Sequence, residues 1–203
     1  MQLIDGGRAP SPRRVRIFLA EKGIEVPRRQ IDFPNFEQQS DAFTTINPMQ
    51  RVPVLILDDG TPIAETMAIC RYFDALHPEP NLLGRDAREI ATIEMWNRRA
   101  ELHFYGPVSS AFRHLSPAMA MSEKPQIAEW GEANKAKALA FLAILDRELA
   151  GRQYVAGDRF TVADITAGVT ADFMRAPKIE MPADLKNVRR WHAEVIARPS
   201  FSA

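Results

Sequence analysis

Arg51-Val52-Pro53-Val54-Leu55-Ile56-Leu57-Asp58-Asp59-Gly60-Thr61-Pro62-Ile63 is the stretch on which the fold turns. Its apolar run reads as a strand. Asp58-Asp59-Gly60 reads as a tight hairpin turn, and Thr61-Pro62-Ile63 as the return strand. Proline at the start of a strand is tolerated because no ladder donor is needed there. Upstream, Asn47-Pro48 breaks the preceding pattern. Downstream, Glu65 to Ala75 reads as a helix with Ala68, Ile69, Tyr72 and Phe73 facing inward.

Working outward toward the N-terminus, Gln2 to Asp5 reads as a short strand and Gly6 to Pro10 as a turn. Ser11-Pro12 opens a helix, since Ser caps well and Pro suits the first helical position. Val15, Phe18 and Leu19 form its apolar stripe and Gly23 ends it. Glu25 to Phe33 is predicted to be a second strand and Phe36 to Ile46 a second helix. The order β-α-β-α-β-β-α calls for a mixed sheet flanked by helices.

Toward the C-terminus, His77-Pro78-Glu79-Pro80-Asn81 is proline-rich and polar, as a linker is. Everything beyond it reads as helix: Asp86 to about Leu115 with a break at Gly106-Pro107, Pro125 to Leu149, Thr161 to Phe173, and Leu185 to Ile196. The stripe of the second of these runs through Ile127, Trp130, Ala138, Phe141, Leu142, Leu145 and Leu149. The expected fold class is therefore α/β plus all-α. An α/β domain spans about 1–78, a linker 79–85 and an all-helical domain 86–203.

Composition narrows the function. The 203 residues carry 26 Lys+Arg against 26 Asp+Glu, a formal balance of zero. Phosphate contacts need a surplus of cations, so a nucleic-acid binder is not expected. One cysteine, Cys70, gives no internal disulfide, no CxxC pair and no cysteine-rich metal site. No metal is expected. No apolar run approaches the ~20 residues of a membrane helix, and Met1 to Arg16 has no apolar core of a leader peptide. A cytoplasmic protein without membrane attachment is the expectation.

Two local features suggest a ligand. A cis Val52-Pro53 bond would turn the Val52 N–H and C=O outward, where an extended peptide can pair with them as an added strand; an edge-strand proline with no ligand is the other reading. Glu65-Thr66 at a helix start offers a carboxylate for an ammonium and a hydroxyl with a backbone N–H for an anion; an acidic first turn that suits the helix dipole is the plainer account. Thr161 and Asp164 have the spacing of a capping box, with Phe160 and Ile165 as its hydrophobic staple, and are read as structural.

Taken together, Arg13-Arg14-Val15-Arg16-Ile17-Phe18-Leu19-Ala20-Glu21-Lys22-Gly23, Asn47-Pro48 to Val52-Pro53-Val54-Leu55 and Ile63-Ala64-Glu65-Thr66-Met67-Ala68-Ile69 resemble the N-terminal half of cytosolic glutathione transferases. Tyr154-Val155-Ala156-Gly157-Asp158 and Phe160-Thr161-Val162-Ala163-Asp164-Ile165 resemble the signature of their second domain. The resemblance implies a thioredoxin-like N-terminal domain that binds glutathione through Arg51, Val52, Pro53, Glu65 and Thr66. It also implies a helical domain that completes the co-substrate site. Glutathione would serve as co-substrate, with a small apolar electrophile as acceptor, in a detoxifying homodimer.

The thiol-activating group departs from the common pattern. Where such proteins carry Ser, Tyr or Cys, this chain has Ala9. Ser11 is the nearby hydroxyl, either a helix cap or a donor to the thiolate. Asn97 to His103, Gly106-Pro107-Val108-Ser109 and Phe112-Arg113-His114 resemble an atypical fungal-type class. That class is thought to activate the thiol through a water held by a His and a Ser of the helical domain. The matching residues are His103 and Ser109. Six residues on a straight helix is a rise of ~9 Å and not one face, so a shared water requires a kink at Pro107; Ser110 is better aligned on a straight helix. Phe104, Tyr105, Phe112, Met119 and Met121 are either a co-substrate pocket or core. Cys70 is expected to be packed, Arg13 and Arg14 to form a solvated face, and His77 and His192 to be linker and surface residues. A glutathione- or apolar-ligand-binding protein with little catalysis is the alternative.

Overall fold

The computed structural model describes residues 1–203. The chain divides into two compact units, Met1–Asn81 with Ser202–Ala203, and Leu82–Phe201.

The first unit is built on a four-stranded sheet in the order β2-β1-β3-β4, from β1 (Gln2–Asp5), β2 (Arg28–Gln30), β3 (Val54–Ile56) and β4 (Pro62–Ala64). β1 runs parallel to β2 and antiparallel to β3, which pairs antiparallel with β4. The helices are α1 (Pro10–Glu21), α2 (Asp41–Ile46) and α3 (Thr66–Leu76), with α1 packed on α3. Side chains alternate across a strand. Ile4 and Val54 therefore share one face, clustered with Ile31 and Phe43, while Leu3 and Leu55 are fully buried on the other. A sheet covered on both faces is the thioredoxin-like arrangement expected.

Three elements of this unit differ from expectation. The second strand is short because Pro27, which has no donor, stands just before it. The second helix is broken: Phe36 is left-handed (φ 55°), Glu37–Gln39 form a 3₁₀ turn, and the Ser40 hydroxyl accepts from Phe43 N–H at 3.2 Å to start α2 afresh. In α3, which begins at Thr66, Ala68 is exposed and Tyr72 half-buried; Met67, Ile69, Cys70 and Phe73 form the inner face.

The second unit is all helical: α4 (Ala87–Ala100), a π-turn Glu101–Tyr105, α5 (Gly106–Leu115), α6 (Ala128–Leu149), α7 (Val162–Phe173) and α8 (Lys186–Ile196). α7 is buried from Val162 to Ala171, as a central helix is. Two close approaches between helices depend on glycine. A β-carbon on Gly131 would lie 2.5 Å from Leu115, and one on Gly168 2.9 Å from Val195. The α6 stripe runs through Gly131, Asn134, Ala138, Phe141, Leu142, Leu145 and Leu149. Ile127 and Trp130 are exposed, contrary to expectation. Ile127 precedes the helix, and Trp130 sits one residue off the stripe, covered by the Lys137 ammonium at 4.3 Å.

The capping spacing at Thr161 forms as read. Asp164 accepts from Thr161 N–H at 2.9 Å and from the Thr161 hydroxyl at 3.1 Å. It also accepts from Val155 N–H at 2.8 Å and Trp191 Nε1–H at 2.9 Å. Burial pushes this carboxyl up to about 6, with the four donors pulling the other way. No helix is long and apolar enough to cross a membrane.

Candidate active site

In the first unit, strand register brings the expected ligand-holding residues together. Val54 pairs with Ala64, so Val52-Pro53, just before β3, lie at the same sheet end as Glu65-Thr66, just after β4. The Thr66 hydroxyl donates to the Ser11 carbonyl at 3.5 Å, which adds the start of α1. Gly6 adds the end of β1, since a β-carbon there would come within 2.9 Å of the Val52 Cγ2.

The Val52-Pro53 peptide is cis. No hydrogen bond within the chain uses the Val52 N–H or C=O. Asn47, read from sequence only as a break in the pattern, holds the loop before it: its amide donates to the Arg51 carbonyl at 2.8 Å and its oxygen accepts from Met49 N–H at 3.1 Å. The exposed Arg51 side chain donates to the Gln50 carbonyl at 3.2 Å. Glu65 is exposed with φ 70° and ψ 126°, a conformation that costs a side-chain-bearing residue about 1–3 kcal/mol and that clusters at ligand clamps. Its carbonyl opens α3 by accepting from Ile69 N–H at 3.0 Å.

Ser11 does not cap α1. Pro10 takes the first helical position and Ala9, held extended by the proline after it (φ −64°, ψ 138°), is the N-cap with no side-chain bond. Ser11 is half-buried inside the first turn. Arg14 is buried, not solvated, and Arg13 is half-buried.

Asp5 and Arg16, which sequence reasoning did not single out, brace the β1–α1 turn. The buried Asp5 carboxylate accepts from Gly6 N–H at 2.8 Å, Arg16 Nη1 at 2.6 Å and Gln30 Nε2 at 2.8 Å. Arg16 Nη2 donates to the Gly7 carbonyl at 2.8 Å. Burial lowers the Arg16 guanidinium from its ordinary value, with Asp5 opposing the shift.

In the second unit, Pro107 is accommodated by the π-turn: Gly106 N–H bonds back to the Glu101 carbonyl, one residue further than in an α-helix, which widens the turn for the ring. His103 lies in this turn, exposed, on the wall of a cleft of about 950 Å³. Trp96, Arg99, Pro107 and Ser110 share that wall, with Lys137 and Phe141 from α6. Ser109 is half-buried on α5 and does not line the cleft. Phe104 is core, stacked on Phe141 at 5.5 Å, and Phe112 packs on Phe173 at 5.2 Å. Met121 is exposed. Burial pushes the Cys70 thiol up to about 12, so it is inert. His192 is not a free surface residue; it pairs with Asp172 at 3.0 Å.

Sequence comparison matches residues 9–76 to the glutathione S-transferase N-terminal domain and residues 110–199 to the glutathione S-transferase C-terminal domain. The chain belongs to the glutathione S-transferase family and is a transferase of that family. Within it, the likeness is to the fungal-type class. The chain is 40% identical to Glutathione S-transferase 2 of Saccharomyces cerevisiae over 203 residues, covering 98% of this chain and 87% of that protein. The crystal structure of Gtt2 from S. cerevisiae aligns with a TM-score of 0.95 at 40% identity, covering 100% of this chain and 99% of that one. A glutathione S-transferase domain-containing protein of Marinobacter aquaeolei VT8 aligns with a TM-score of 0.93 at 39% identity, over 99% of this chain and 100% of its own.

Proposed function

We propose that this chain conjugates the glutathione thiolate to small apolar electrophiles, as a cytoplasmic, detoxifying homodimer that uses glutathione as co-substrate. The observation that carries the reading is the Val52 backbone, with donor and acceptor both unused by the chain, beside Glu65-Thr66 at one sheet end. An extended peptide satisfies such a pair as an added strand would. Pro53 shapes the loop. Arg51 and Glu65 supply charges of both signs for a ligand that has a carboxylate and an ammonium. Thr66, first in α3, receives the carboxylate at a helix N-terminus.

The thiol must be held as thiolate to attack. With Ala9 as N-cap there is no side chain at that point to donate. The positive end of α1 contributes, and Ser11 is kept as a secondary donor. His103, acting with Ser109 through a water, is the proposed proton acceptor. Because Ser110 and not Ser109 shares the cleft wall with His103, variants of both serines separate the two.

The test is ultraviolet difference titration of glutathione on the protein across pH. A saturable thiolate band with an apparent pKa well below the ~8.5 of a free thiol is expected. His103→Ala raises that pKa and lowers kcat while leaving glutathione affinity intact. Ser109→Ala does the same more weakly; the same effect from Ser110→Ala instead assigns the water to the serine on the cleft wall. The missing hydroxyl at Ala9 favours one alternative, a glutathione or apolar-ligand carrier. Binding without a thiolate band establishes that alternative, and no binding overturns both.

A further inference from the structure

We propose that Asp5, Arg16 and Gly6 are positioning residues for glutathione, setting the orientation of the Val52 backbone without touching the ligand. The inference rests on the reading of Val52 given above and adds what holds it in place.

Neither the backbone N–H nor the C=O of Val52 has a partner in the chain. Its N–H lies in the peptide plane of the Arg51 carbonyl, which the Asn47 amide holds, and its orientation depends further on what its side chain packs against. One contact is Gly6, whose backbone lies so near that a β-carbon would reach 2.9 Å from the Val52 Cγ2 and 2.9 Å from the Phe33 ring. Two consecutive glycines are the most freely moving pair a turn can have, yet here both ends of the pair are pinned. Asp5 takes the Gly6 N–H and Arg16 takes the Gly7 carbonyl, while Asp5 and Arg16 bind each other. Gln30, on the neighbouring strand, occupies the other Asp5 oxygen.

The pair is nearly out of solvent, with side-chain exposures of 2% for Asp5 and 10% for Arg16. Burying two charges costs desolvation that their attraction only partly offsets, so such a pair is a weak source of stability compared with an apolar replacement. What it supplies instead is direction: two hydrogen bonds at fixed angles to the two ends of the Gly6-Gly7 turn. The chain of contacts runs from Asp5 and Arg16 to the turn, from the turn to Val52, and from Val52 to the peptide. The consequence is loss of affinity for glutathione with little change in the chemistry of the bound thiol.

Glutathione affinity, kcat at saturating glutathione and the bound-thiol pKa are to be measured on the wild type and on Gly6→Ala, Asp5→Asn, Arg16→Lys and Gly6→Ala/Val52→Ala. Gly6→Ala weakens glutathione about tenfold, the size of one lost contact to a ligand, with kcat and thiol pKa unchanged. Val52→Ala in the same chain makes room for the new methyl, since the exposed Phe33 ring can swing aside, and restores most of the affinity. Asp5→Asn weakens binding in the same pattern. Arg16→Lys, which keeps the charge but not both hydrogen bonds, falls between. A wild type that does not bind glutathione overturns the reading of the cradle. A wild type that binds, with folded variants that bind equally well or lose kcat and affinity together, overturns the positioning role alone. Melting curves identify the folded variants, and Arg16→Lys is the mildest should the others unfold.

Discussion

Asp5 in the first unit and Asp164 in the second are both buried carboxylates that gather donors from three directions, and they do opposite things with them. Asp5 has a cation, Arg16, and pins a glycine turn. Asp164 has no cation in its shell: its donors are two backbone N–H groups, the Thr161 hydroxyl and the Trp191 indole. With no counter-charge, desolvation governs, and its carboxyl rises to about 6. In this chain the acid fed by neutral donors ties packed elements together, whereas the one paired with a cation braces a turn.

Removing each acid tests that division. Asp164→Ala orphans the Val155 and Thr161 N–H groups and the Trp191 indole, at about 1 kcal/mol or more apiece, so urea unfolding should show at least about 3 kcal/mol lost. Glutathione affinity per folded molecule should not change. A large affinity loss in a stably folded Asp164→Asn variant would break the comparison.

The next effect is a pH dependence. The folded value of Asp164 lies above the 3.8 of an ordinary Asp, so the folded chain binds a proton that the unfolded chain releases in between. The contribution of this group is therefore most favourable below about pH 4, declines as pH rises from about 4 to 6, and is constant above. About two pK units is of order 2–3 kcal/mol. It should appear as a slope in the stability difference between wild type and Asp164→Asn over that window. A flat difference would mean that the four donors hold the carboxylate ionised.

Smaller still is Thr161→Ala, which removes one hydroxyl from the Asp164 shell and should cost about 1 kcal/mol in the same unfolding assay. Smallest is Cys70→Ser, expected to leave glutathione-dependent turnover unchanged. An aromatic disulfide reagent should modify Cys70 only after unfolding, because the thiol is buried with its pKa near 12.

The two acids also show what a sequence discloses. The Thr161–Asp164 bond was legible because a capping box is local: residues three apart on one helical turn meet whatever surrounds them. The Trp191 donor, 27 residues further along the chain, was not. Asp5 and Arg16 meet only because α1 turns back over the end of β1, and nothing in the spacing of eleven residues announces it. Ser11 misled for a related reason. Serine before proline reads as a cap, but Pro10 claims the first helical position two residues before Pro12. Trp130 lay near the apolar period of α6 yet faces solvent, since one residue is a turn of about 100° on a helix, and Ile127 faces solvent because it stands before the helix begins.

The order of elements, the break between an α/β unit and an all-helical one, the hairpin β3–β4 and the capping box were readable from the residues, because each is encoded in periodicity, in proline and glycine, or in contacts a few residues apart. The residues proposed to hold glutathione could be named in advance, but not what packs around them. Tertiary structure alone decided that Gly6 lies against Val52, that Asp5 and Arg16 pin the turn, that Arg14 is buried, and that Ser110 rather than Ser109 joins His103 on the cleft wall. Each of these depends on strand register, on the extra residue in the π-turn, or on the return of a helix over a sheet. Such geometry brings together residues that share no local pattern.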